Sequence, residues 1–297
     1  MAAILGGAFG NLIDRVFYDG KVVDFIDFGI GEQTMLGAAA GLALRGRKPV
    51  AHALATFITL RAYEFARTDI GIPGFPVKLV GGVPGFLSEA NGPTHQAVED
   101  VAIMRSIPPM NVFCPADNED MLIGLEQILL DDAPYYIRFN PAAPVVKHSN
   151  MFTPGIAEQF GEGTDIAILT YGFMFGESYK AMQALEEMGI SCRLLNLRTV
   201  KPIDEQKVLA AVNECTLAVT VEDHFQTGGL YSVLAETLIE RGIGGNVLPI
   251  ALKNRWFKPA LLKNVLEYEG FSAQKLVATI SAALVNKKVP KELYSLT

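Results

Sequence analysis

Short apolar runs alternate with longer segments of helical periodicity along the chain, and this alternation limits the fold more than any other feature. Residues 22–28, 49–56, 77–81, 111–114 and 135–139 read as strands. Helical patterns over 33–45, 58–68, 95–106 and 120–130 lie between them. Regular strand–helix alternation is the signature of βαβ units on a parallel sheet. Between 140 and 163 the pattern lapses, and Pro141, Pro144, Pro154, Gly155, Gly161 and Gly163 interrupt the chain. It then resumes, with strands at 166–171, 192–197, 217–221 and 247–252 and helices at 177–188, 204–212, 229–241 and 273–285. The expected fold is α/β, with two domains, each a mostly parallel twisted sheet flanked by helices. Residues 1–145 form the first domain, 146–163 a linker and 164–297 the second.

The 297 residues are enough for two domains, each with its own core. Half the residues are hydrophobic and 19% are charged, which excludes a disordered or fibrous chain. Lys and Arg number 25 against 32 Asp and Glu, a formal charge of −7 with no basic cluster. That balance argues against a nucleic-acid or anionic membrane partner. The longest uncharged stretches, 1–13 and 33–44, fall short of the ~18–20 apolar residues that span a bilayer. There is no basic n-region at the start, so no signal peptide is expected. Cys114, Cys192 and Cys215 are scattered, as suits a reducing compartment, and a cytoplasmic protein is expected. Buried parallel strands and large subunit interfaces then account for the apolar content.

No phosphate-binding loop, G-x-G-x-x-G, H-E-x-x-H or G-x-S-x-G occurs, and no Gly-Asp-Gly. In open parallel sheets, ligands lie beyond the carboxyl ends of the strands. Glu32 follows the first strand after Gly29 and Gly31; it is either functional or a carboxylate favoured by a helix N-terminus. Phe57 follows the next strand, with Tyr63 nearly two turns on, and reads as a ligand face or a core aromatic. His95 enters a helix from a Gly-Pro turn and is a site residue or a local cap. Arg138 ends the strand at 135–139 and is a ligand contact or a member of an ion pair. An acid, an aromatic, a histidine and an arginine thus stand at strand ends that share one rim.

Asp27-Phe28-Gly29-Ile30-Gly31-Glu32-Gln33, with the small-residue run Gly37 to Ala43, resembles the pyrimidine-binding domain of transketolases. Ala55-Thr56-Phe57 with Tyr63, Gly92-Pro93-Thr94-His95-Gln96, Glu99 to Ala102 and Pro115-Ala116-Asp117 continue the resemblance in order. Thr220-Val221-Glu222-Asp223-His224 with Gly228-Gly229 resembles the transketolase C-terminal domain. The Gly-Pro-Thr-His-Gln element is closer to transketolases and deoxyxylulose-phosphate synthases than to 2-oxoacid dehydrogenase beta subunits. The diphosphate-binding domain of the family is absent.

The resemblance implies the C-terminal subunit of a split transketolase that moves a two-carbon ketol unit from a ketose phosphate to an aldose. The cofactor implied is thiamine diphosphate in a shared site. The partner is an N-terminal subunit carrying the diphosphate-binding domain and the Mg²⁺ ligands. The chain alone would be a homodimer, and the full assembly α2β2. Glu32 would hydrogen-bond the pyrimidine N1′, Phe57 would stack on its ring, and Leu60 and Tyr63 would line the pocket. His95 would donate to a donor-sugar hydroxyl or transfer a proton, Asn91 would face the donor, and Arg138 would grip a sugar phosphate. Leu60 stands where many transketolases have a second aromatic, Asn91 where they have aspartate, and the 81–89 loop lacks a histidine often found there. These departures concern the donor. The alternatives are a deoxyxylulose-phosphate-synthase-like or 2-oxoacid-dehydrogenase-beta-like subunit, or an interaction subunit without activity.

Residues 1–28 also resemble lipoprotein signal peptidase locally, through Gly6 to Arg15 and Val22-Val23-Asp24-Phe25, with Asp14 and Asp24 at its two aspartate positions. The spanning helices of that family are absent. The same segment serves as the start of a pyrimidine-binding domain, with Ala3-Ile4-Leu5 as its first strand.

Overall fold

The computed structural model describes residues 25–26 and 31–288. Ala3 to Leu5, Asp14, Asp24 and the ends of the strand expected at 22–28 lie outside the described residues. Strand β1 (Phe25–Ile26) precedes helix α1 (Glu32–Leu44) and strand β2 (Val50–Leu54). A helical stretch follows, made of a π segment Phe57–Arg61, one α turn Tyr63–Phe65 and a second π segment Ala66–Gly71. Strand β3 (Lys78–Gly82), a 3₁₀ segment Gly85–Asn91, helix α2 (Asp100–Arg105), strand β4 (Asn111–Phe113), helix α3 (Asn118–Leu130) and strand β5 (Tyr135–Arg138) complete the first half. The second half runs β6 (Glu158–Phe160), β7 (Ile166–Thr170), α4 (Met174–Glu187), β8 (Cys192–Asn196), β9 (Thr199–Lys201) and α5 (Glu205–Glu214). It closes with β10 (Leu217–Phe225), α6 (Leu230–Glu240), β11 (Val247–Leu252), α7 (Leu262–Glu269) and α8 (Ala273–Lys288).

The strands form a six-stranded sheet in the order β1-β2-β3-β5-β4-β9 and a five-stranded sheet in the order β11-β10-β7-β8-β6. All pairings are parallel except β9 on β4 and β6 on β8. Strands β5, β7 and β8 are buried along their whole length, as helices on both faces require. The α/β expectation holds. No helix among the described residues is long and apolar enough to cross a membrane.

Three local differences follow from tertiary contacts. The helix expected at 95–106 begins only at Asp100, because the backbone ahead of it bonds elsewhere. Ala97 O accepts Gly85 N at 2.9 Å, and Val98 O accepts Phe225 N at 2.8 Å. Second, β9 lies in the second half of the sequence yet pairs with β4 of the first sheet. Third, the segment read as linker carries β6 and packs Phe152 edge-on against Phe113 at 5.1 Å. Strands of three residues are too short to carry a period.

That segment also supplies a buried ionic cluster. His148 Nδ1 lies 2.7 Å from Glu158 Oε2, and Nε2 lies 2.8 Å from Asp117 Oδ2. Asp117 caps α3 by accepting from Glu119 N and Asp120 N. Arg198 Nε sits 2.6 Å from Asp120 Oδ1, and its Nη2 sits 3.1 Å from Glu158. The cluster ties the α3 N-terminus to the edge of the second sheet. Burial works against an imidazolium at His148, but the hydrogen bonds to Asp117 and Glu158 prevail and raise it from 6.5 to about 10. A folded-state value above the unfolded one stabilises fully below the unfolded pKa, and the gain is lost as pH rises through the folded one. The stability gap between wild type and His148→Gln, measured by urea unfolding, is therefore expected to be widest below pH 6.5 and to shrink toward about 10. A gap that stays flat across that interval would contradict a charged His148.

Candidate active site

Glu32 is the first residue of α1, where the helix N-terminus favours a carboxylate, and it is 2% exposed. Its Oε2 accepts from Arg61 Nη1 at 2.8 Å. Arg61 ends the first π segment, in which Ala62 N bonds back to Phe57 O at 3.2 Å. The wide turn sets Arg61 beside Phe57, with the guanidinium carbon 4.1 Å from the ring centroid. The other neighbour of Phe57 is His95, edge-on with centroids 5.1 Å apart. Thr56 Oγ1 donates to His95 O at 2.8 Å, and Thr94 Oγ1 lies 2.9 Å from His95 Nδ1. Glu32, Arg61, Phe57 and His95 thus form one chain of contacts across three strand ends. Phe57 is half-buried, and so is His95.

Leu60 and Tyr63 face a neighbouring concavity of about 440 Å³, whose far wall is Ala102, Ile103 and Ser106 of and next to α2. Tyr63 Oη lies 2.8 Å from Ser106 Oγ. Asn91 is exposed at the end of the 3₁₀ segment, on the loop that leads to His95. That loop is constrained: Glu89 has φ 44 and Val83 has φ 57, rare values for residues with a Cβ.

Arg138 is elsewhere. It is 2% exposed, with Nε 2.8 Å from Asp100 Oδ2 and Nη1 2.5 Å from Asp223 Oδ1. Tyr136 Oη donates to the same Asp100 oxygen at 2.6 Å. Burial opposes the charge, but Asp100 and Asp223 together hold the guanidinium well above its ordinary range. The structure thus places Arg138, expected to grip a sugar phosphate, in a buried ion-pair cluster with Asp100 and Asp223 and not beside Glu32, Phe57 and His95.

Residues 2–143 match the transketolase pyrimidine-binding domain, and residues 155–276 match the transketolase C-terminal domain. The chain is 40% identical over 217 residues to the 6-deoxy-6-sulfo-D-fructose transketolase subunit SqwH of a Clostridium species, covering 72% of this chain and 67% of that one. The chain belongs to the transketolase family. It is also 33% identical over 265 residues to the 1-deoxy-D-xylulose-5-phosphate synthase of Thermomicrobium roseum, spanning 88% of this chain but 42% of the relative. Among solved structures it is similar to a split-gene transketolase described as an inactive β4 tetramer. The TM-score is 0.79 at 31% identity, covering 93% of this chain and 87% of that one.

Within this transketolase-family chain, four further residues make contacts that the sequence did not disclose. Asp100 and Asp223 hold Arg138, and Glu222 caps α6 through Leu230 N and Tyr231 N at 2.6 and 3.0 Å. Arg61 pairs with Glu32. The only signal for Arg61 was a lone charge in an apolar stretch, four residues after Phe57. Replacing Arg138 by Met leaves two buried carboxylates without their cation and is expected to cost about 3–5 kcal/mol in urea unfolding. The molecules that do fold should show no selective loss for phosphorylated over unphosphorylated sugars. Near-wild-type stability with a raised KM for phosphorylated sugars alone would restore the phosphate role.

Proposed function

We propose that this chain is the C-terminal subunit of a two-subunit, thiamine-diphosphate-dependent transketolase that moves a two-carbon ketol unit from a ketose phosphate to an aldose. The observation that carries this reading is the grouping of Glu32, Phe57 and His95 at adjacent strand ends in a chain without a Gly-Asp-Gly motif. The residues present fit the pyrimidine half of the cofactor. Glu32 offers a buried carboxyl group able to share a proton with N1′, Phe57 a flat apolar face, and Leu60 with Tyr63 the wall beside it. When bound, the cofactor supplies a nucleophilic carbon and an electron sink for cleaving the bond beside a ketose carbonyl. His95 remains partly open and can hold or pass a proton at a donor hydroxyl. Asn91 on the same loop offers an amide there, a neutral contact.

Mg²⁺ and the diphosphate are assigned to the partner subunit. Among the described residues, ligand-type side chains converge at Asp120, His148 and Glu158. There Arg198 pairs with Asp120 and Glu158, and Asn196 donates to both. These contacts already engage the carboxylate oxygens of that cluster. The relative described as an inactive β4 tetramer supports a chain that needs a second subunit to act. The assembly proposed is α2β2 with a homodimer of this chain at its centre, in the cytoplasm. A deoxyxylulose-phosphate-synthase-like reaction is the second reading, favoured by the similarity to that synthase along most of this chain.

The test is co-expression with a partner of the diphosphate-binding type, followed by a screen of ketose phosphates and 2-oxoacids. Glu32→Gln keeps the size of the side chain and removes the anion, and turnover of the assembled enzyme is expected to fall by at least ~100-fold. The isolated chain is expected to bind thiamine diphosphate weakly by calorimetry, with or without Mg²⁺. Normal turnover in Glu32→Gln, or tight Mg²⁺-dependent binding by the isolated chain, would overturn the proposal.

A further inference from the structure

The contacts of Arg61 coincide with those that the proposed function assigns to the aminopyrimidine. Its guanidinium is a flat group set 4.1 Å from the Phe57 ring centroid, and it donates an N–H to Glu32 Oε2 at 2.8 Å. A pyrimidine ring stacked on the same face and hydrogen-bonded to the same carboxylate needs that space. We propose that Arg61 is an internal latch: it fills the pyrimidine site of the free subunit and must swing out when the cofactor enters. The inference rests on the reading of Glu32 and Phe57 given above.

Three features of this chain fit a group that leaves. Glu32 is 2% exposed, and a buried carboxylate without a partner is strongly destabilising, so the subunit needs a cation there before cofactor arrives. The Arg61 side chain is itself 39% exposed, so its route to solvent is open. Glu64, one turn further along and exposed, offers a second pairing once Glu32 is taken. The stem of Arg61 stays on the helical stretch throughout; only the guanidinium moves. A ligand that must first displace an occupant binds more weakly, its apparent Kd being the intrinsic one divided by the fraction of time the site is open. Arg61 thus sets cofactor affinity downward while it protects the empty site. A residue that merely orients Glu32 would do the reverse, because removing it would loosen the acceptor and weaken binding.

The experiment uses the assembled two-subunit enzyme and reads thiamine diphosphate affinity by calorimetry at fixed Mg²⁺, without substrate. Arg61→Ala is expected to tighten cofactor binding about 5- to 10-fold, the worth of one half-exposed ion pair plus one cation–π contact. Arg61→Met retains the apolar stem and is expected to tighten it similarly if the Ala variant fails to assemble. Arg61→Lys keeps the charge without the flat fork and should fall between wild type and Ala. Methylguanidinium at millimolar concentration should compete with cofactor in Arg61→Ala and have no effect on wild type. The isolated Arg61→Ala subunit should melt below wild type, since Glu32 is then unpaired. Unchanged or weaker cofactor binding in both Arg61→Ala and Arg61→Met overturns the latch, as does absence of methylguanidinium competition. Glu32→Gln and Phe57→Ala, titrated in parallel, separate this from the parent reading. If neither alters cofactor binding, the site itself is misplaced; if both weaken it while Arg61→Ala does not tighten it, the latch alone fails.

Discussion

The buried guanidinium of Arg138 joins the ends of elements from both halves of the chain. Asp100 opens α2, Arg138 ends β5, and Asp223 lies near the end of β10. Taking three charges out of water is expensive, and the arrangement persists because almost every polar atom is used. Tyr136 bonds Asp100, Phe86 N points at Asp223 Oδ2 at 3.4 Å, and Ala97 O and the Asp223 carbonyl accept from the remaining guanidinium nitrogen. The backbone yields to this cluster. A Cβ at Gly85 would lie 1.8 Å from Asp223 Oδ2, so only glycine fits, and its φ of +55 agrees. From Gly85 the chain runs directly into the loop that bears Asn91 and His95. The position of that loop therefore depends on a buried charge cluster behind it.

The three consecutive residues Glu222, Asp223 and His224 divide their work by strand alternation. Asp223 faces Arg138. Glu222 and His224 share the other face, where a Cβ on Gly229 would strike both. Burial lowers His224 to about 4, so the ring is neutral; its Nε2 accepts Ala102 N at 3.3 Å while Nδ1 donates to Phe225 O at 2.6 Å. Ala102 is one wall of the concavity that Leu60 and Tyr63 face. The second sheet thus fixes α2, and α2 shapes the site on the first.

The periodicity of the sequence reveals this division of labour unevenly. Helix α1, expected at 33–45, is observed at Glu32–Leu44, and β11 falls at 247–252 as read, because each has enough apolar residues to display its period. Strand β9 has three residues and an antiparallel partner from the other half, so nothing local marks it. The segment 95–99 has helical spacing but surrenders its backbone groups to Gly85 and Phe225, a tertiary choice that pattern cannot foresee. Glu32, Phe57 and His95, singled out because strand ends in a parallel sheet converge, are brought into one chain of contacts. Arg138 also stands at a strand end. What separated it from the others was two carboxylates, 38 and 85 residues distant, that only the fold brings to it.

Glu32 and Arg138 show how burial divides two otherwise similar ion pairs. In both, a carboxylate almost without solvent contact meets a guanidinium at 2.8 Å. Around Arg138 the cation is as buried as its partners, is shared between two anions, and cannot leave without stranding charge. Around Glu32 the anion is equally enclosed but its cation is 39% exposed and is held by one carboxylate and one ring face. Coulomb attraction at equal distance weakens as the effective dielectric around either partner rises. The first pair is therefore the harder to break and the second the easier. In the half-site proposed above both kinds have a use: a rigid cluster holds the loop in register, and a releasable ion keeps the buried Glu32 carboxylate tolerable until the cofactor displaces it.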